Sequence, residues 1–263
     1  MKVYDTYIFD LYGTLIDIHT DESIDELWEE LAAEYGKKGV VYTPAAIHEK
    51  YLEMVGQEEQ DLAKATGFKY PEIRLDKVFA RLYNEGKKGD PVGTQAEISM
   101  DDPWIQQVAL QFRETSRTRL DVYENTVSTL MKLKELGKKV YLLSNAQRCF
   151  TEPEMRQVGI WNLFDDIFIS SDHEKKKPQP EFMEELLKKH HIDRDRAVMI
   201  GNDFTSDIRI ALECDMESIF LNTDRHSEAE MKSLLAKQKA QKPSEKEVYI
   251  ISSGDIKEIL ENS

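Results

Sequence analysis

The chain is poor in cysteine. Cys149 and Cys214 are the only two among 263 residues, and their separation matches no metal-ligand spacing. This pattern excludes a disulfide framework and is typical of reduced thiols in a cytoplasmic protein. The sequence also lacks an apolar run long enough to span a bilayer, and its amino terminus shows no secretory leader. We therefore expect a cytoplasmic protein without a membrane partner.

Positive charge is also scarce. The chain has 35 Lys and Arg residues against 50 Asp and Glu residues, which gives a net charge of −15. Such a balance argues against nucleic acid or an anionic membrane as a partner. An acidic protein that binds an anionic substrate needs a local group of cations or a metal ion. The composition gives no indication of the oligomeric state.

Residues 18–117 contain helical signals and no strand pattern. Capping residues and apolar periodicity predict helices that begin near Asp21, Thr43, Pro71 and Asp101, the last continuing towards Leu120. A segment rich in Gly, Lys and Pro, residues 85–97, predicts a loop.

The rest of the chain alternates apolar strands with helices. The first strand is Tyr7 to Phe9, and the alternation resumes after about Asp121. Near-continuous apolar strands separated by helices predict a parallel sheet covered on both faces. The predicted fold class is therefore α/β. We expect residues 1–17 and 118–263 to form the sheet domain, and residues 18–117, inserted after the first strand, to form an all-α cap over it.

Three predicted strands end in polar residues. They are followed by Asp10, by Ser144 and Asn145, and by Asn202 and Asp203. Ligands of open parallel sheets bind outside the carboxyl ends of the strands, so these residues are expected to converge. Asp10 can act as a covalent nucleophile, and Ser144 and Asn145 can donate hydrogen bonds to an oxyanion.

Two further positions carry charge that such a site could use. Lys177 precedes a predicted helix and can neutralise negative charge. Asp203 and Asp207 are four residues apart and face the same way if a helix has begun, and carboxylate ligands suit Mg²⁺. The alternative for each residue is an ordinary turn, a helix cap or a solvated charge.

Four short motifs occur in a characteristic order. They run from Asp10 to Leu15, from Leu143 to Asn145, from Lys177 to Pro180 and from Gly201 to Asp207. Together they resemble the motifs of the haloacid dehalogenase superfamily, and the order makes the signal stronger than a single match. The resemblance implies a Rossmann-like core with an α-helical cap of the C1 type.

The resemblance also implies roles for these residues. Asp10 is the expected nucleophile, while Thr14, Ser144 and Lys177 hold the reacting group. In phosphatases of the family, Mg²⁺ is bound by the nucleophile, by the backbone carbonyl two residues later and by an acid of the last motif. In this chain the corresponding positions are Asp10, Tyr12 and Asp203, and Asn202 and Asp207 are the expected supporting residues.

Tyr12 departs from the phosphatase pattern. Family phosphatases carry a second Asp there as general acid and base, whereas family dehalogenases carry Tyr. Loss of a positioned acid slows the expulsion of a poor leaving group by up to about 10²–10⁴-fold. Asp203, by contrast, matches the metal-binding form of the last motif.

We predict a weakened Mg²⁺-dependent phosphatase that acts on a small phosphorylated metabolite through an aspartyl-phosphate on Asp10. One alternative is a 2-haloacid dehalogenase, in which Asp10 displaces halide without a metal. The other is a non-catalytic protein that binds a phosphorylated ligand.

Overall fold

The computed structural model describes residues 2–87 and 96–262, with side chains through residue 260. The first part of the chain consists mainly of helices. Its elements are β1 (Thr6–Phe9), β2 (Ile16–Thr20), α1 (Asp25–Lys37), α2 (Pro44–Thr66), α3 (Leu75–Lys87), α4 (Pro103–Ser116) and β3 (Arg117–Val122). Of the predicted loop 85–97, residues 88–95 lie outside the described residues.

The second part alternates helices and strands. Its elements are α5 (Thr126–Glu135), β4 (Lys139–Ser144), α6 (Arg148–Gln157), β5 (Asp166–Ile169), α7 (Pro180–His190), β6 (Ala197–Gly201), α8 (Arg209–Glu213), β7 (Glu217–Leu221), α9 (Glu228–Gln241) and β8 (Val248–Ile251). No helix in the described ranges is both long and apolar enough to cross a membrane.

Within the described residues, six strands form one parallel sheet in the order β5-β4-β1-β6-β7-β8. The strand β1 lies in the interior of the sheet, where Phe9 pairs with Leu142 on one side and Ile200 on the other. Successive residues of β1 face opposite sides of the sheet, so Ile8 and Phe9 join different apolar clusters. Both faces are thus covered, which confirms the predicted α/β fold class.

The helices α1 to α4 enclose a separate apolar core. It includes Trp28, Tyr35, Tyr51, Phe79 and Phe112, all less than 5% exposed. This separate core supports the prediction of an inserted helical cap. The bounds of that cap, residues 18–117, remain a prediction.

The expected continuation of the fourth helix towards Leu120 is wrong. That helix ends at Ser116, and the next residues form β3, which pairs antiparallel with β2. Ile16 pairs with Val122, and Ile18 pairs with Leu120. The pairing partner is about a hundred residues away in sequence, so the local pattern did not reveal this two-stranded link.

The start of the third helix at Pro71 is also wrong. The helix begins at Leu75, because the preceding residues pair with the core instead. The Glu72 amide donates to the Glu174 carbonyl at 3.1 Å, and the Lys176 amide donates to the Tyr70 carbonyl at 3.0 Å. The segment before α3 is therefore joined by backbone hydrogen bonds to residues 174–176, which precede α7.

Replacement of Phe112 by Ala should destabilise the protein by about 3–5 kcal/mol, because it opens a cavity among packed rings. The Phe112 ring lies 5.3 Å from that of Phe79 and 6.3 Å from that of Phe150, which belongs to α6 of the core. Chemical denaturation followed by circular dichroism measures the loss. Leu52→Ala, at a position 56% exposed, is the control and should cost less than about 1 kcal/mol. Equal losses would contradict the packing assigned to Phe112.

Candidate active site

The first, third and fourth motifs meet at the carboxyl end of the sheet. Asp10 follows β1 and is only 7% exposed, and its backbone amide donates to the Ile200 carbonyl of β6 at 2.9 Å. Because β1 lies between β4 and β6, the residues after these strands are brought to one edge.

The Lys177 ammonium lies between two carboxylates. Its Nζ donates to Asp10 Oδ1 at 2.6 Å and to Asp207 Oδ1 at 2.7 Å. The Lys177 side chain is 1% exposed. Burial alone would lower the pKa of Lys177, but the charges of Asp10 and Asp207 raise it above its ordinary value. Lys177 is therefore a buried cation that fixes one oxygen of the Asp10 side chain by an ion pair.

For Asp207, burial outweighs the stabilising charge of Lys177 in setting the pKa. Burial raises its pKa, and the Asp10 charge adds to the rise, while Lys177 opposes it; the outcome is a pKa of about 7. The backbone amide of Asp203 also donates to Asp207 Oδ2 at 3.0 Å. Asp207 thus connects the last motif to Lys177 by a hydrogen bond.

The other oxygen of Asp10 faces Thr14. Thr14 Oγ1 lies 3.1 Å from Asp10 Oδ2 and 3.1 Å from Asn202 Oδ1. The turn between Asp10 and Thr14 packs against the Asn202 side chain. Gly13 has φ +80°, and a Cβ there would lie 2.4 Å from Asn202 Nδ2, so a side chain would displace Asn202.

Asn145 holds the backbone of Lys177. Its Nδ2 donates to the Lys177 carbonyl at 3.0 Å, and its Oδ1 accepts from the Lys177 amide at 2.7 Å. Ser144 is 1% exposed, and its Oγ has no hydrogen-bond partner among the described residues. A buried hydroxyl of this kind favours a hydrogen-bond partner at the carboxyl end of β4, although Ser144 is not among the residues that line the cavity around Asp10.

Asp203 and Asp207 do not share one helical face. Residues Phe204–Ile208 form a π-helical turn, and α8 begins only at Arg209. Asp203 accepts hydrogen bonds from the Thr205 amide at 2.7 Å and the Ser206 hydroxyl at 2.9 Å. The Asp203 carboxylate therefore caps its own turn at the rim of the site, while Asp207 is buried within it.

Several of these residues line a cavity of about 390 Å³, whereas Thr14 and Ser144 lie outside its lining. Its lining consists of Asp10, Tyr12, Asn145, Lys177, Asn202, Asp203, Ser206, Asp207 and Asp224. Sequence analysis missed Asp224, although it lies shortly after the carboxyl end of β7, where the same strand-end rule could have found it.

The Tyr12 hydroxyl contacts side chains of α6 rather than Asp10. It donates to the Glu154 carboxylate and lies 3.2 Å from Thr151 Oγ1. Burial raises the pKa of Tyr12 well above its ordinary value, and the Glu154 charge adds to the rise. The hydroxyl thus keeps its proton and donates a hydrogen bond to Glu154.

Glu154 is the centre of a buried ionic network that sequence analysis also missed. Its carboxylate accepts from Arg113 Nε and from an Arg117 amino group, both at 2.8 Å. Arg113 belongs to α4, Arg117 begins β3, and Glu154 lies on α6. The available signal was a charged residue on the buried face of α6, next to Phe150 and Met155 in helical spacing.

A family model for haloacid dehalogenase-like hydrolases matches residues 4–215. The chain belongs to the haloacid dehalogenase-like hydrolases. A phosphoglycolate phosphatase of Vibrio cholerae is 25% identical to this hydrolase over 216 residues, which cover 80% of this chain and 81% of that protein. A glyceraldehyde 3-phosphate phosphatase of Methanothermobacter thermautotrophicus is 31% identical over 102 residues, 39% of this chain; the match spans about half, 45%, of that relative's length.

Solved structures share the fold of this hydrolase. A HAD phosphatase from Thermococcus onnurineus has a TM-score of 0.57 at 15% identity and covers 100% of this chain and 99% of its own. A 2-haloacid dehalogenase from Pseudomonas syringae has a TM-score of 0.56 at 17% identity and covers 90% of this chain and 99% of its own. The fold is therefore common to both kinds of enzyme and does not distinguish them.

Glu154→Gln should lower the free energy of unfolding of this hydrolase by about 3 kcal/mol, because it leaves two largely buried guanidinium groups without a carboxylate. Glu152→Gln is a matched control on the same helix. Glu152 also pairs with two arginines, Arg148 and Arg156, but its side chain is 33% exposed, so the loss should be about 1 kcal/mol or less. Urea denaturation measures both variants. Similar losses would show that the Glu154 network is not a major source of stability.

Proposed function

We propose that this hydrolase is a Mg²⁺-dependent phosphatase that acts on a small phosphorylated substrate through an aspartyl-phosphate on Asp10. The observation that carries the proposal is the charge of the cavity. Four carboxyl groups line it, from Asp10, Asp203, Asp207 and Asp224, against the single ammonium of Lys177. Such a cavity repels a phosphate ester unless a cation neutralises part of the charge.

The residues of the cavity fit Mg²⁺ in their chemistry. Magnesium prefers hard oxygen ligands and keeps several waters. Asp10 and Asp203 would supply carboxylate oxygens and Tyr12 its backbone carbonyl, to which no described residue donates a hydrogen bond. The described part of the chain has no cluster of three or more Asp, Glu, His or Cys side chains around one metal position, so these two carboxylates would act with the carbonyl and water. When bound, Mg²⁺ would polarise the phosphoryl oxygens and offset the negative charge.

The protein's own residues account for the first chemical step. An Asp10 carboxylate oxygen forms a bond to phosphorus, and the bond between phosphorus and the ester oxygen breaks. Lys177 donates a hydrogen bond to Asp10 Oδ1 and would hold the attacking carboxylate in place. Attack of water on the aspartyl-phosphate then releases inorganic phosphate and restores Asp10.

The leaving oxygen must be protonated without help from Tyr12. The Tyr12 hydroxyl donates its hydrogen bond to Glu154, and the pKa of Tyr12 is raised. The hydroxyl is therefore a poor acid, and its proton is directed to Glu154 rather than to a leaving group. Aryl and acyl phosphates, whose leaving groups are stable as anions, depend least on a general acid. A slow enzyme that prefers activated phosphate esters follows from this arrangement.

With an aryl phosphate as substrate, we expect turnover with Mg²⁺ and a loss of at least about 100-fold with a chelator. When the reaction is stopped by rapid quench, the unmodified protein should have gained the mass of one phosphoryl group. Asp10→Asn should show neither this gain nor turnover. Asp17→Asn is the matched control, since Asp17 pairs with Arg119 on the β2–β3 link and does not line the cavity.

Equal rates with and without chelator would remove the metal from the proposal. Chelator-insensitive halide release from a 2-haloacid would favour the dehalogenase, and binding without turnover of any phosphate ester would favour the non-catalytic alternative.

Tyr12→Asp should improve the hydrolysis of alkyl phosphates relative to aryl phosphates by about tenfold or more, because a carboxyl group at this position can protonate a poor leaving group. The ratio of kcat/KM for the two substrate types measures the change. Tyr12→Phe removes the bond to Glu154 without adding an acid, so the ratio should stay as in the unmodified protein. An equal gain in both variants would mean that release from Glu154, rather than the new acid, is responsible.

A further inference from the structure

Asp224 lies in a loop that is attached to the nucleophile turn. Thr223 Oγ1 donates to the Gly13 carbonyl at 2.5 Å. The loop is also closed internally, since Asn222 Nδ2 donates to the His226 carbonyl at 2.9 Å and Asn222 Oδ1 accepts from the His226 amide at 2.8 Å. The position of Asp224 relative to Asp10 is therefore set by hydrogen bonds on both sides of the loop.

Asp224 determines which way the Asn202 amide points. Asn202 Nδ2 donates to Asp224 Oδ2 at 3.0 Å, and Asn202 Oδ1 lies 3.1 Å from Thr14 Oγ1. An ionised carboxylate accepts hydrogen bonds and donates none, so it selects the NH₂ end of the amide. The oxygen end of Asn202 must then face Thr14.

The orientation of Asn202 affects the nucleophile through one proton. The Thr14 hydroxyl has a single proton and two acceptors at 3.1 Å, Asn202 Oδ1 and Asp10 Oδ2. If the amide were reversed, Asn202 would donate to Thr14 Oγ1, and the Thr14 proton would be directed to Asp10 alone. A hydrogen bond stabilises the carboxylate charge and makes the oxygen a weaker nucleophile. The observed orientation lets Asn202 share that proton.

We propose that Asp224 is a positioning residue, which orients Asn202 so that the Thr14 hydroxyl does not bond to Asp10 alone. This inference rests on the proposed function, because it assumes that Asp10 attacks the substrate. Asp224 is itself exposed, so the effect is that of one partly solvated hydrogen bond. It should appear in the rate of the chemical step more than in substrate binding.

The kinetic test uses Asp224→Ala with an aryl phosphate. We expect kcat to fall about three- to tenfold with little change in KM, and Asp224→Glu, which keeps the carboxylate, to recover most of the loss. Glu228→Ala is the matched control, since it removes an exposed negative charge from the start of α9, outside the cavity lining. Unchanged kcat in Asp224→Ala, or an equal fall in Glu228→Ala, would overturn the proposal.

A second measurement does not depend on turnover. In the substrate-free protein, the side-chain NH₂ resonances of Asn202, identified by their absence in Asn202→Asp, should shift in Asp224→Ala and stay in place in Glu228→Ala. Unshifted resonances in Asp224→Ala would overturn the proposal whatever the kinetics. If the unmodified protein hydrolyses no phosphate ester, the proposed function fails, and the amide resonances alone decide whether Asp224 orients Asn202.

Discussion

The site depends on one buried ammonium group. Lys177 binds Asp10 and Asp207 through hydrogen bonds of 2.6 and 2.7 Å at a position almost closed to solvent. Two carboxylates so close together in a buried place would repel each other without a cation between them, so Asp10, the third motif and the last motif require one another. Asn145 fixes the Lys177 backbone from both sides, which places the ammonium accurately and links the second motif to the same group.

A second buried charge connects α4 and β3 to the turn that follows β1. Glu154 of α6 binds Arg113 of α4 and Arg117 of β3, and it accepts a hydrogen bond from the Tyr12 hydroxyl. The Tyr12 side chain therefore contributes to the junction between α4, β3 and α6, which gives a structural reason for a tyrosine at this position.

Much of the fold could be predicted because its signals are local. Apolar strands such as Tyr7 to Phe9 and the cap of α2 at Thr43, followed by Pro44 and ended at Gly67, are legible over a few residues. The strand β3 and the start of α3 were not predicted, since each depends on pairing with a distant segment. Long-range pairing overrides local helical preference, and a single sequence contains no record of it.

The sequence by itself determined the order of the motifs, the strand-end position of Asp10 and the presence of a lysine to pair with it. These follow from residue type and spacing along a parallel sheet. Only the tertiary structure decided where the protons point. Tyr12 donates to Glu154 and Asn202 donates to Asp224, partners that lie 142 and 22 residues away. A hydrogen bond is short and directional, so its partner is known only when the folded chain brings the two groups together.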